Sequence, residues 1–338
     1  MPCVCIVPAV EGIGGMATFR QKFEAGLSRR GILVSHDPQV KCDALLVIAG
    51  TRHVTPLLAA RRRGVRIVQR LDGINWVHRR RNTGLRHFLR AEYGNRVLSL
   101  IRARVATHIL YQSEFTRRWW EDWYGRQAKQ SLVVHNGVDL DEYSPTGAGQ
   151  PPAERRRLLV VEGSLGGGYD MGLDNALQLA EILQQKHGFP MEVMVVGRID
   201  AGHRARVQSR ASVPILWAGT VPRERIPELD RSAHLFFSAD INAACPNAVI
   251  EAMACGLPVI AFDTGALNEL VRGDSGRLVP YGSNPWKLEK PDVPALAAAA
   301  AEILGNRPRF SLAARAHAEQ SLGLEKMVDS YLRVLLEA

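Results

Sequence analysis

The stretch Ala243-Ala244-Cys245-Pro246-Asn247-Ala248-Val249-Ile250-Glu251-Ala252-Met253-Ala254-Cys255-Gly256-Leu257-Pro258-Val259-Ile260 reads as a helix that runs straight into a strand. Pro246 suits the first helical turn, where its missing N–H leaves no bond unmade. Gly256 suits the helix end, where left-handed backbone is wanted. Val249 and Met253 are four apart and share a face that can turn to a core, while Glu251 points elsewhere. Val259 to Phe262 is then a short, wholly apolar run, the pattern of a strand buried on both faces. A buried strand fed by an amphipathic helix points to an α/β fold with a parallel sheet.

The same alternation extends in both directions. Upstream strands are expected at Val4–Val7, Ala44–Ile48, Val65–Val68, Leu158–Val161, Val193–Val196, Ile215–Ala218 and Leu235–Ser238. Met16, Phe19, Phe23 and Leu27 recur at spacings of three and four, one face of a helix closed by Arg29-Arg30-Gly31. Ser113 fits an N-cap ahead of Trp119, Trp120 and Trp123. Helices are expected at Val293–Leu304 and Leu324–Leu336. Gly12 to Gly15 forms a turn between the first strand and first helix, where free N–H groups at a helix start can meet an anion. A tight turn without a ligand explains those glycines equally well.

Tyr143 to Arg157 breaks the pattern with Pro145, Gly147, Gly149, Pro151 and Pro152, and is read as a linker. The expectation is two doubly wound, Rossmann-like domains, residues 1–150 and 151–338, facing across a cleft. Ligands would sit at the carboxyl ends of the strands.

The chain has 338 residues, 46% hydrophobic and 23% charged, enough for two buried cores. No apolar run reaches the ~18–20 residues of a membrane span. The opening Met1-Pro2-Cys3-Val4-Cys5 has no basic leader or long apolar segment, so a cytoplasmic protein is expected. Five cysteines, without zinc-type spacing, read as small core residues. Net charge is +9, and residues 1–150 hold 23 Lys and Arg against 12 Asp and Glu. That half could face nucleic acid, an anionic membrane or an acidic substrate, or be a solvated surface. No nucleic-acid-binding motif accompanies the arginines, so no nucleic-acid partner is expected.

Four stretches make the chain resemble the retaining GT-B glycosyltransferases of family four. They are Glu11–Gly31, Val133–Asp139 with Tyr143-Ser144-Pro145, Trp217–Val221 with the segment to Ser238, and Glu251–Ile260. The resemblance implies a nucleotide-sugar donor and a glycan or lipid-linked acceptor. It implies that Glu251, the second carboxylate of the family's Glu-x7-Glu motif, binds the ribose. The backbone of Asn247, Ala248 and Val249 would lie near the donor diphosphate, Gly14 and Gly15 would close on it from the first domain, and Val221 would lie beside the base. The last helix would cross back to the first domain. No metal or other cofactor is expected, and Asp139-Leu140-Asp141 is discounted as a metal site because it adjoins the linker.

Three departures stand out. Ala243 occupies the place of the first Glu of that motif. The stretch Glu162–Gly172 lacks the usual Arg and Lys diphosphate clamp, so backbone N–H groups of its glycines, or Arg198 or Arg223, would substitute. Where many members carry a His after the strand at Val65–Val68, this chain has Asp72, the candidate catalytic residue. The expected function is sugar transfer with retention, at the cytoplasmic face of an anionic membrane if Arg79, Arg80, Arg81, Arg86 and Arg90 mark a contact. The alternatives are a GT-B-fold binding protein without catalysis and an epimerase of related fold.

Overall fold

The computed structural model describes residues 1–10, 12, 14–165 and 171–337. They divide into two compact units, Met1–Gly137 with Leu324–Ala338, and Val138–Gly323.

Unit 1 holds β1 (Cys3–Val7), β2 (Leu33–Ser35), β3 (Ala44–Ile48), β4 (Arg66–Leu71), β5 (His108–Tyr111) and β6 (Ser131–Val133). They form one sheet in the order β2-β1-β3-β4-β5-β6, every pair parallel. The central strands are apolar without alternation because both faces are covered. Val4, Ile6, Leu46, Ile48 and Val68 pack with Phe19, Phe23 and Leu27 of helix Gly15–Arg29 and with Met327, Val328 and Tyr331 of helix Leu324–Leu336. Cys5, Val7, Leu45, Val47 and Ile67 pack the other way, against Leu57, Ala60, Ile101 and Val105. Helix Glu114–Tyr124 begins at Ser113, whose side chain accepts from Thr116 N–H. The indole of Trp120, fully buried, donates to the Asp72 carbonyl at 2.8 Å.

Unit 2 holds β7 (Arg156–Ser164), β8 (Met191–Arg198), β9 (Ile215–Gly219), β10 (Leu235–Phe237), β11 (Val259–Phe262) and β12 (Gly276–Val279). Their order is β12-β11-β10-β7-β8-β9, again all parallel. Leu158, Val160, Val193, Val195, Phe237 and Ile260 face helices Met171–His187 and Val293–Gly305. Leu159, Phe236, Val259 and Ala261 face helices Asn247–Ala254 and Arg307–Ser321.

The exchange from one unit to the other falls at Gly137/Val138, earlier than the expected 150. The proline- and glycine-rich stretch is part of unit 2 for a physical reason. Tyr143 is fully buried, and Arg231 donates to the carbonyls of Ser144 (3.0 Å) and Ala148 (2.7 Å). Gly149, with φ +93°, lies so close to the Glu228 carbonyl that a Cβ would fall 2.2 Å from its oxygen. The chain therefore turns without apolar periodicity yet is pinned along its length. A second correction concerns cysteine: Cys3 and Cys42 are joined as a disulfide with Cα atoms 4.8 Å apart, because β3 pairs beside β1 and Asp43 bonds both backbone groups of Cys3.

Tyr331 ties the last helix into unit 1, its ring 5.1 Å from Phe19 and 5.2 Å from Phe23. Tyr331→Ala is expected to destabilise the protein by about 3–5 kcal/mol, read as a lower urea midpoint. A midpoint like the parent's would show that the helix adds nothing to this core.

Candidate functional site

The winding of unit 2 reverses between β7 and β10. Chain connections leave these neighbouring strands in opposite directions, and the carboxyl ends of the strands at such a reversal open a crevice. A pocket of about 140 Å³ lies there, lined by Glu162, Ser164 and Leu165 from the end of β7 and by Ala239 and Asp240 after β10. The glycine-rich loop expected to contact a diphosphate continues as Gly166–Asp170, outside the described residues.

Two carboxylates dominate the pocket wall. Burial, and then the charge of Asp240, push the Glu162 carboxyl up to about 8. Burial likewise raises Asp240 to about 6, with the Ile241 N–H pulling it back. Side by side and partly desolvated, the two cannot both ionise easily. They share negative charge at neutral pH and carry protons in mild acid. Arg198 closes β8 next to them: its carbonyl accepts from Leu165 N–H at 2.9 Å. Its guanidinium is exposed and makes no hydrogen bond or ion pair with the described residues.

The decisive helix begins at Asn247, with Pro246 at its cap and no side-chain capping bond. Its first N–H groups are thus left for water or a ligand. Asn247 and Ala248 are half-buried, whereas Val249 is fully buried, so its side chain belongs to the core. Ala243, at 4% exposure, is wedged against the Thr264–Gly265 turn: its carbonyl accepts from Ala266 N–H at 2.9 Å. A Cβ on Gly265, where φ is +62°, would fall 2.5 Å from the Ala243 backbone.

Glu251 lies on the same helix, 8% exposed, among groups that feel its charge. Burial and then Glu251 hold the Asp230 carboxyl well above its ordinary range, and Asp230 itself is 1% exposed. The Tyr143 hydroxyl is raised by burial and again by Glu251. It accepts from Arg223 Nε at 3.5 Å, while Arg223 Nη2 stands 3.9 Å from Glu142. Glu251, Arg223, Tyr143 and Asp230 therefore form one electrostatic cluster at the Glu251 helix. Val221, half-buried, packs at the edge of this core. Trp217 is engaged elsewhere, donating to Gln208 at 2.7 Å beneath Arg204.

The remaining sequence candidates lie in unit 1. Gly14 precedes and Gly15 begins helix Gly15–Arg29, both exposed, with open space where a Gly14 side chain would project. Asp72 follows β4, partly buried. Burial raises its carboxyl while the Arg70 guanidinium pulls it down. Arg70 is 1% exposed, lies 3.9 Å from the Phe19 ring centre, and donates to Asn136 Oδ1 at 2.8 Å. Asn136 of the Asn-Gly-Val-Asp stretch thus holds a buried cation in place. Asp139 of that stretch accepts from Asp141 and Glu142 N–H. Among the described residues no group of three or more His, Cys, Asp or Glu could hold a metal ion.

Sequence reasoning missed Glu162, Asp240 and Asp230. The first two became neighbours only through the strand order. The strand ends were visible, and placing the fourth strand of the unit beside the first would have found the pair.

Residues 156–306 match the family model described as Glycosyl transferases group 1. A D-inositol 3-phosphate glycosyltransferase of Geodermatophilus obscurus is 30% identical over 231 residues, 62% of this chain and 48% of that protein. A phosphatidyl-myo-inositol mannosyltransferase of Mycobacterium leprae is 29% identical over 232 residues, 66% of this chain and 57% of that one. The chain spans about half the length of the curated relatives it matches. A sucrose-phosphate synthase from Thermosynechococcus elongatus superposes with a TM-score of 0.75 at 17% identity over 98% of both chains. Anabaena HepE, solved with UDP and glucose, superposes with a TM-score of 0.70 at 15% identity over 100% of both. The glycosyl transferase match lies inside unit 2, and the chain has the GT-B fold.

The carboxylate pair sets a pH dependence. Folded Glu162 keeps its proton up to about pH 8, against an ordinary value of 4.5. Between those values the folded state binds more protons than the unfolded one, so stability falls as pH rises through that window. Glu162→Gln is expected to melt higher than the parent at pH 8, with the gap closing toward pH 4.5. An equal gap at both ends, followed by calorimetry, would contradict the raised carboxyl.

Proposed function

We propose that this GT-B chain transfers a sugar from a nucleotide-sugar donor to an acceptor with retention at the anomeric carbon, the nucleotide being held by unit 2. The observation that carries this reading is the pocket at the winding reversal of unit 2. It falls inside the segment that matches the glycosyl transferase family. In the proposed arrangement Glu251 accepts from the ribose hydroxyls. The N–H groups at the start of helix Asn247–Ala254 and the Arg198 guanidinium meet the diphosphate. Val221 lies beside the base. For unit 1 the family resemblance implies a phosphate-contacting role for Gly14 and Gly15 and a catalytic role for Asp72. No cofactor or metal enters, because oriented N–H groups and positive charge take up the leaving diphosphate. No side-chain nucleophile is assigned.

Glu162 and Asp240 bear on the donor directly. A diphosphate approaching two ionised carboxylates is repelled, whereas protonated carboxyls can donate to it. Donor affinity should therefore weaken as pH rises from about 6 to about 8, the values at which the pair loses its protons.

The curated relatives carry inositol phosphate and phosphatidyl-inositol in their names. That chemistry, with the basic first half of this chain, supports a phosphate-bearing or lipid-linked acceptor. It also supports a protein working at an anionic membrane. Among the described residues no helix is long and apolar enough to cross one. A second reading, a nucleotide-binding protein of the same fold that transfers nothing, is favoured by Ala243 and by the two pocket carboxylates. Hydrolysis or transfer from UDP-glucose or GDP-mannose separates the two readings, since the second allows binding alone.

Glu251→Gln should weaken binding of the best nucleotide by roughly 1.5–3 kcal/mol, the loss of a charged hydrogen-bond partner, with the circular dichroism unchanged. Calorimetric affinities equal to the parent's would remove Glu251 from the site.

A further inference from the structure

The arginine-rich stretch after β4 becomes helix Leu85–Leu100. One side is seated in unit 1: Ala91 and Asn95 are buried, and the Asn95 amide bonds the backbone and side chain of Asn75. The opposite side inverts the usual pattern. Leu85 (74% exposed), Leu89 (59%), Tyr93 (52%) and Leu100 (50%) all stand in solvent. At 100° per residue these four fall within one outward quadrant of the helix, which exposed Arg96 shares, with Arg86 at its edge and Arg90 beside it. A surface helix normally turns such residues inward. An apolar stripe facing water, broken only by Arg96, marks a contact surface.

The charge around the stripe identifies the contact. From Gly73 to Ser113 the chain carries eight arginines and one carboxylate, Glu92. That carboxylate is already taken, by Arg79 at 2.5 and 2.9 Å and by His78 at 2.8 Å. Arg80, Arg86 and Arg90 are exposed and form no ion pair with the described residues. Arg52 adds a further cation 5.8 Å from the Tyr93 ring centre. Leucines at the crest with arginines among and beside them fit a surface that is apolar a few ångströms down and anionic on top. A nucleic acid would use the arginines and leave the leucines in water.

We propose that the outward face of helix Leu85–Leu100 docks on an anionic phospholipid bilayer. Leu85, Leu89 and Leu100 enter the acyl boundary, Tyr93 sits at the headgroup level, and Arg86 and Arg90 meet lipid phosphates. The helix lies in the membrane plane and does not span it. This deepens the membrane part of the reading above, which it uses only for what the bilayer would present, a lipid-linked acceptor.

The test uses the full chain and vesicles of phosphatidylcholine alone or mixed with phosphatidylglycerol, sedimented at low and moderate salt without nucleotide. Selective binding to the anionic vesicles is expected, weakening as salt rises. Arg86→Ser with Arg90→Ser should cut that binding by about tenfold or more. Leu85→Ser with Leu89→Ser should cut it comparably at unchanged charge. All variants should melt like the parent, since every altered side chain is exposed, and should bind UDP like it. Equal binding to both vesicle types, no binding, or a leucine variant that binds like the parent would overturn the proposal. So would a self-association of the parent that the leucine variant abolishes. Because UDP binding is followed separately, loss of the docking surface leaves the nucleotide site standing, and the reverse.

Discussion

The fixed constraint in this molecule is the reversal of winding between β7 and β10. A parallel strand must be reached by a crossover that covers one face of the sheet, and the right-handed sense of that crossover is nearly invariant. When the chain builds β8 and β9 on one side of β7 and then returns to lay β10 on the other, the covering helices pass to the opposite face. No connection can then span the carboxyl ends of β7 and β10. The pocket is what remains, and its wall consists of whatever side chains end or follow those two strands. Here they are Glu162, Ser164, Leu165, Ala239 and Asp240.

That inheritance explains the unusual chemistry of the site. A crevice in a parallel α/β sheet suits anions because helix N-termini point toward it, and helix Asn247–Ala254 begins without a side-chain cap. Glu162 and Asp240 oppose that field, and they settle the conflict by holding protons to higher pH than free carboxylates do. The same logic recurs at Asp230, where burial and then the charge of Glu251 hold the carboxyl well above its ordinary range. Charge in the pocket of unit 2 is thus set by proton occupancy as well as by composition, whereas unit 1 carries most of its arginines at the surface and buries Arg70 and Arg102.

Much of this was legible in the residues. Strands such as Ala44–Ile48 and Val259–Phe262 are apolar throughout because both faces are covered, and that pattern survives without tertiary information. Helix Leu324–Leu336 likewise announced itself by its periodicity. Short edge strands such as Leu33–Ser35 and Ser131–Val133 did not, since three residues with partly exposed side chains carry no period. The Tyr143–Arg157 segment misled because proline and glycine report local turns and not the buried Tyr143 and Arg231 contacts that hold them. Of the candidate site, the helix that carries Glu251 was readable from local pattern, whereas a role for Glu251 came only from the family resemblance. The Glu162–Asp240 pair was not, because it exists only once strands distant in sequence lie side by side.

The central claim is that the nucleotide sugar occupies the reversal in unit 2. Hydrogen–deuterium exchange of the full chain, with and without UDP-glucose, tests it most directly. The account predicts slowed exchange in peptides covering Glu162–Leu165 and Ala239–Glu251, where backbone N–H groups would meet the donor. Unchanged exchange there, with protection confined to other segments under saturating ligand, would contradict it.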